Sequence, residues 1–207
     1  MMIETNLRYR AFQKSLSLSE RLIRRIFAIR SDSPLDNLSN IVEDGLFKAT
    51  IQTTGCAAFS VFHRGTKADL GVIRQIFVDE DYSLERFRQN TWVTQAYRNI
   101  VRNGELPTII DAGSNIGLGG LYLKRLFERA KLVAVEPASS NLRVLRRNLT
   151  DGADRIVHGA IHAGRETISL MDPDEGEWGF STHTSDNRPA ASMETVDCYS
   201  FSNLLRV

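Results

Sequence analysis

The sequence predicts an α/β fold, a Rossmann-like parallel sheet flanked by helices and preceded by a helical N-terminal extension. Three observations predict it. Short β-rich runs alternate with helical segments from Thr108 to Ile161, a glycine turn follows the first run, and an acid, Glu136, ends the second. Strands alternating with helices imply right-handed βαβ units, and hence a parallel sheet with helices packed on its faces.

Taken in order, Ser17 to Arg30 reads as an amphipathic helix. Ser17 and Glu20 fit a capping box, and Leu18, Leu22, Ile26 and Ile29 recur at helical spacing. Arg21, Arg24, Arg25 and Arg30 fall largely between them, as on a surface helix covering a core; a basic helix docking a partner or a membrane has the same pattern. Ser31 to Pro34 is turn-like, and Leu35 to Phe47 is expected as a second short helix ending near Gly45. Ala57 to Phe62 reads as a strand followed by the polar turn Arg64, Gly65, Thr66. Leu70 to Val78 and Arg86 to Arg102 read as helices, the second stopping at Asn103 and Gly104.

The alternation then begins. Thr108 to Ala112 is the first strand, Leu118 to Arg129 a helix, Lys131 to Glu136 the second strand, Ser139 to Leu149 a helix and Arg155 to Ile161 the third strand. Beyond it, Glu166 to Leu170 and Glu194 to Tyr199 are expected strands. Asp172 to Pro189 is polar and turn-rich around Trp178, and Ser200 opens a helical segment. The expected domains are an extension over 1–55 and a cofactor-binding domain over 56–207 with its core at about 105–170.

Composition narrows the function classes. Lys and Arg number 26 against 25 Asp and Glu, a net charge of +1, which supplies no global field for nucleic acid. Cys56 and Cys198 lie far apart, with neither disulfide density nor zinc-site spacing, and are expected as free thiols. No apolar run approaches the roughly 20 residues of a membrane span, and no signal-peptide pattern opens the chain. A cytoplasmic protein with no metal centre is the expectation.

The chemistry concentrates in Asp111-Ala112-Gly113-Ser114-Asn115-Ile116-Gly117 and in Glu136. Glycine at 113 and 117 permits a tight turn out of a strand and close approach to a ligand. The helix that follows offers free amides there. In open α/β sheets ligands sit beyond the carboxyl ends of the strands, where this loop and Glu136 both fall. An acid at the end of the second strand suits a ribose diol. A dinucleotide fingerprint would place glycine at 115, where this chain has Asn115, and a P-loop would close on Lys followed by Ser or Thr. Asp111 would repel a pyrophosphate and suits a nucleoside whose middle carries a sulfonium and an ammonium. S-adenosylmethionine has those groups, and Asp111, Gly113, Ser114, Asn115, Gly117, Glu136 and Pro137 are its expected contacts. Ala160 and Ile161 are candidates for the apolar slot of the adenine, or ordinary core residues.

Asp111 to Gly117, Val133-Ala134-Val135-Glu136-Pro137, and then Asn141, Leu145 and Asn148-Leu149 resemble the first two motifs of class I methyltransferases, and in detail those of the FkbM family. Arg64-Gly65-Thr66 with Asp69, then Gln75-Ile76-Phe77 and Tyr82, is similar to the segment preceding the cofactor domain in that family. Gly159-Ala160-Ile161 and Glu194-Thr195-Val196-Asp197 follow in the family's order. The resemblance runs from about Phe59 onward. It implies methyl transfer, typically to a hydroxyl of a small molecule or glycan. It also implies a fourth core strand carrying an Asp-x-Glu-Gly-type motif, which is not found before Val207, so that a truncated, non-catalytic remnant is the alternative reading. No residue stands out as the catalytic base: His158 and His162 are lone histidines, Asp69 and Tyr82 are either lid or packing residues, and Trp178 is either a sugar platform or a loop anchor.

Overall fold

The computed structural model describes residues 37–51, 58–150, 153, 155–164, 166–170 and 194–205. The predicted helix over Ser17–Arg30, Cys56 and the loop around Trp178 lie outside them. The chain divides into two compact units, Met1–Val78 and Asp79–Val207.

The first unit is an antiparallel meander, β1 (Asn37–Glu43), β2 (Leu46–Ile51) and β3 (Phe59–His63), followed by helix α1 (Lys67–Phe77). The helix expected over Leu35–Phe47 is therefore replaced by a hairpin. Asp44 and Gly45 both take positive φ, 53° and 74°, the backbone of a two-residue turn that matches the twist of paired strands. β2 buries Leu46, Ala49 and Ile51, and β3 lies beside it with Phe47 opposite His63. Thr66 caps α1 by accepting the Asp69 amide at 3.1 Å, and the helix buries Leu70, Val72, Ile73, Ile76 and Phe77. His63 is 1% exposed, stacks on Phe47 and accepts the Gly65 amide on Nδ1 at 3.0 Å.

The second unit begins with helix α2 (Asn90–Arg102). It continues through β4 (Thr108–Ala112), α3 (Leu118–Leu126), β5 (Lys131–Glu136), α4 (Ser139–Asn148) and β6 (Arg155–His158). The three strands form a parallel sheet in the order β4-β5-β6, as the alternation predicts. β5 is its centre, buried from Leu132 to Glu136. Leu132 and Ala134 pack on Leu145 of α4 and on its C-cap, Leu149, while Val133 and Val135 face the other way onto Val157 and Leu204. A near-continuous apolar strand is what a sheet covered on both faces requires.

The third predicted strand, Arg155–Ile161, is broken. β6 stops at His158, and β7 (Ala160–Ile161) leaves to pair in parallel with β9 (Glu194–Tyr199), which also pairs antiparallel with β8 (Thr167–Leu170). Gly159 is the joint, because a Cβ there would lie 2.6 Å from the Asp197 carbonyl oxygen and 2.6 Å from the Tyr199 ring. Helix α5 (Phe201–Leu204) follows β9 through a capping box of Ser200 and Asn203.

Two outcomes follow from these contacts. Gly159→Ala must displace the Asp197 backbone as well as the Tyr199 ring, so it should destabilise the second unit by about 1–3 kcal/mol. Gly164→Ala, where a Cβ meets nothing within 4 Å, should be close to neutral in the same denaturant titration. Burial, against a smaller opposing pull from Asp69, lowers the His63 pKa from 6.5 to about 4. The unfolded chain then takes up its proton first as pH falls, so the stability His63 contributes is complete above pH 6.5 and is lost on the way down to about 4. The stability gap between wild type and His63→Asn should narrow over that interval, by up to about 3 kcal/mol.

Candidate functional site

At the carboxyl end of β4 the chain turns through Gly113 at φ 75°, Asn115 at 50° and Gly117 at 85°, three left-handed residues within five. The Gly113 and Ser114 amides both donate to the Val135 carbonyl, at 2.9 and 3.0 Å, which sews the loop to β5. Ser114 is buried, its hydroxyl donating to the Asp111 carbonyl at 2.8 Å. Asn148 of α4 donates its side-chain amide to the Ile116 carbonyl at 2.8 Å. The loop is held from β5 on one side and α4 on the other.

Glu136 is 3% exposed and accepts three N–H groups. Its Oε2 takes the Asn115 amide at 2.7 Å, and its Oε1 takes the Ala138 amide at 3.0 Å and the Asn141 side-chain amide at 3.1 Å. Burial pushes its carboxyl above the usual range, those hydrogen bonds pull it back, and the charge of Asp111 adds to the rise. The two acids therefore share one electrostatic environment. Asn115 does not cap α3. The N-cap is Gly117, without a side-chain hydrogen bond, and Asn115 serves by turning its amide onto Glu136.

Asp111 differs from Glu136 in its donors: among the described residues its buried Oδ2 has no hydrogen-bond partner. Burial raises its pKa, with the Ser114 hydroxyl and the Gly120 amide pulling the other way. An unpaired carboxylate oxygen out of water is costly unless something cationic or hydrogen-bonding meets it.

The glycines have separate tasks. Gly113 has nothing within 4 Å of an added Cβ, so it is open toward the space above the strand ends. Gly117 faces α4, where a Cβ would lie 3.1 Å from Leu149 and 3.3 Å from Leu145, so its close approach is to a helix. Gly119 and Gly120, not singled out by the sequence pattern, admit Tyr82 at 3.0 Å and the Asp111 Oδ2 at 3.1 Å. Two adjacent glycines at a helix start are poor helix formers, and that was the available signal. Tyr82 thus lies against the first turn of α3 beside Asp111, and burial and that acid raise its pKa in this order.

Pro137 stands one residue before the α4 N-cap, Ala138, rather than in the first helical turn, and its carbonyl lies 3.0 Å from His158 Nε2. Ala160 is half-buried, pairs with Cys198 in the β7–β9 ladder and packs against Ile168, Leu170 and Val196. Its connection to the site is through Gly159, whose amide donates to the Glu136 carbonyl at 3.1 Å. His162 accepts the Gly164 amide on Nδ1. Asp69, in the other unit, is fully buried with its carboxylate engaged by the Arg64 amide and guanidinium at 2.6–3.0 Å. Among the described residues no group of three His, Cys, Asp or Glu side chains could hold a metal ion, and no helix is long and apolar enough to cross a membrane.

No protein-family model matches the chain, and no solved structure matches it. Among curated proteins, methyltransferase sdnD of Sordaria araneosa is 37% identical over 78 residues, which cover 38% of this chain and 24% of that protein. Methyltransferase 1 of Beauveria bassiana (strain ARSEF 2860) is 29% identical over 76 residues, 37% of this chain and 24% of that protein. The matched stretch thus spans about a quarter of the length of each relative. These partial similarities support a methyltransferase.

Proposed function

We propose that this chain carries the nucleoside-binding half of an S-adenosylmethionine-dependent methyltransferase of the FkbM type, acting on a hydroxyl of a small molecule or glycan. The observation that carries the proposal is the pair of acids at the mouth of the loop. Asp111 has a buried oxygen without a hydrogen-bond partner among the described residues, Glu136 senses its charge, and no Lys or Arg occurs from Asp111 to Leu123 to welcome a phosphate. A ligand with a positive centre and a ribose relieves that arrangement, and a dinucleotide aggravates it.

In this reading Gly113 admits the ligand against the backbone, Asp111 meets its cationic portion and Glu136 accepts from the ribose through the lone pair left on Oε2 beyond its three protein donors. The bound sulfonium supplies an activated methyl carbon. What this chain contributes is placement and exclusion of water.

A second reading has one observation in its favour: among the described residues no strand pairs with the outer edge of β4, and Ile109 and Ile110 there are only half-buried. A remnant that binds the nucleoside without transferring a methyl group would look so. ANS binding with a broad thermal melt supports that reading, and turnover with a sharp melt rejects it.

Titration calorimetry with S-adenosylhomocysteine tests the cofactor. Binding is expected for the intact chain, with a loss of about tenfold or more for Asp111→Asn and for Glu136→Gln, the scale of a hydrogen bond to a charged group. NAD should give no heat. Absence of homocysteine-nucleoside binding rejects the proposal.

The pH dependence has a definite sign. Asp111 must be ionised to attract a cation and its pKa is raised, so affinity should begin to fall at a higher pH than for an ordinary carboxylate. A raised folded-state pKa favours folding below the unfolded value, and that advantage is lost as pH rises through the folded one. Asp111→Asn should therefore bind more weakly while melting no lower than wild type at neutral pH, as expected of a site that trades stability for function.

A further inference from the structure

We infer that Glu194 and His158 are positioning residues for the nucleoside. Together they grip the turn Glu136–Ala138 from outside and so hold the Glu136 carboxylate in place for the ribose. This inference rests on the cofactor reading above.

The N-cap of α4 is Ala138, which has no side chain to satisfy the first amides of the helix. Two carboxylates do so instead. Glu136 Oε1 accepts the Ala138 amide at 3.0 Å, and Glu194 Oε2, at the start of β9, accepts the Ser139 amide at 3.1 Å. Glu194 Oε1 in turn lies 3.2 Å from His158 Nε2, and the same nitrogen lies 3.0 Å from the Pro137 carbonyl. Both neighbours of Nε2 are acceptors, so this nitrogen carries a hydrogen in either charge state of the ring. The carbonyl of residue 137 and the amide of residue 139, on either side of Ala138, are thus held by one imidazole–carboxylate pair.

The pair is also aligned with the acid it supports. His158 is the register partner of Glu136 across β5 and β6, so both lie on one face of the sheet. Yet His158 is 41% and Glu194 34% exposed, and a pair so open to water adds little to global stability. Contacts that converge on a three-residue turn while adding little stability serve geometry. The acid they aim is bound to the loop through Asn115, so a slack turn would loosen both ribose and loop contacts.

The test compares the full chain's affinity for S-adenosylhomocysteine with that for its 2′-deoxyribose counterpart. Wild type should prefer the ribose. The preference should fall about three- to tenfold in Glu194→Ala and in His158→Ala, the scale of one neutral hydrogen bond, and no further in the double variant. Ser200→Ala, which breaks the capping box of α5, should lower thermal stability and leave the preference intact. If Glu194→Ala does not fold, Glu194→Gln, with one acceptor oxygen left, is expected to show a smaller loss in the same direction. An undiminished preference in the folded Glu194 and His158 variants, or no ribose preference in wild type, overturns this inference alone. No binding by wild type overturns the cofactor reading and this inference with it.

Discussion

The second unit depends on one buried carboxylate with three amide donors. Glu136 joins the end of β5 to the loop after β4 through Asn115, to the first turn of α4 through Ala138, and to the body of that helix through Asn141. An ionised group 3% exposed would be expensive without partners, and removing any one of them would leave part of its charge unsatisfied. The left-handed backbone at Asn115 makes sense on these terms. A non-glycine residue at φ 50° is disfavoured, and the short, charge-assisted bond from its amide to Glu136 offsets that cost. The same side chain has a second task if a ribose reaches it, because a carboxylate with three donors still has acceptor capacity. Structural closure and ligand recognition then share one group, which ties the shape of the loop to the state of the site.

The glycines show how one residue type meets opposite demands. Gly113 faces open space and leaves the backbone approachable, whereas Gly117, Gly119, Gly120 and Gly159 are filled in by neighbours at 2.6–3.1 Å. Gly119 and Gly120 are the more informative pair. They let an aromatic ring and an acid lie against the start of α3, where an unencumbered helix would present amides to a ligand. Asp111 thus lies against the first turn of that helix, where its negative charge opposes the approach of a phosphate. Loop sequence and loop electrostatics point the same way.

The parallel sheet was legible because its signals are local. β5 is an unbroken apolar run, and the glycine turn and Glu136 lie at strand ends that the two- and 3.6-residue periods locate. The hairpin of β1 and β2 was not, although Asp44-Gly45 is a strong turn signal. The register slips between Ser39 and Val42, and such a bulge breaks the alternation of two. Leu38, Ile41 and Val42 then fall three and four apart and imitate a helix. The break at Gly159 was illegible for a different reason, since its cause is β9, far along the chain, crossing close enough to exclude a side chain. Glu194 reaching the Ser139 amide is likewise long-range. Conformations set by their own neighbourhood in sequence, such as the left-handed turn at Gly113, were readable, and features set by a distant strand were not.

In the proposed reading, the choice among nucleotides comes down to the sign of one electrostatic energy. Burial raises both acids, Asp111 raises Glu136 further, and one Asp111 oxygen has no donor. Hydrogen bonds offset much of this for Glu136 but leave Asp111 under-satisfied. A phosphate entering the cleft would bring a third negative charge into a region of reduced dielectric, where repulsion at a few ångströms amounts to several kcal/mol at an effective dielectric of about 20. A sulfonium or ammonium reverses the sign of the same term. In the proposed reading, the repulsion between two carboxylates that sense each other thus becomes part of the affinity for a cation.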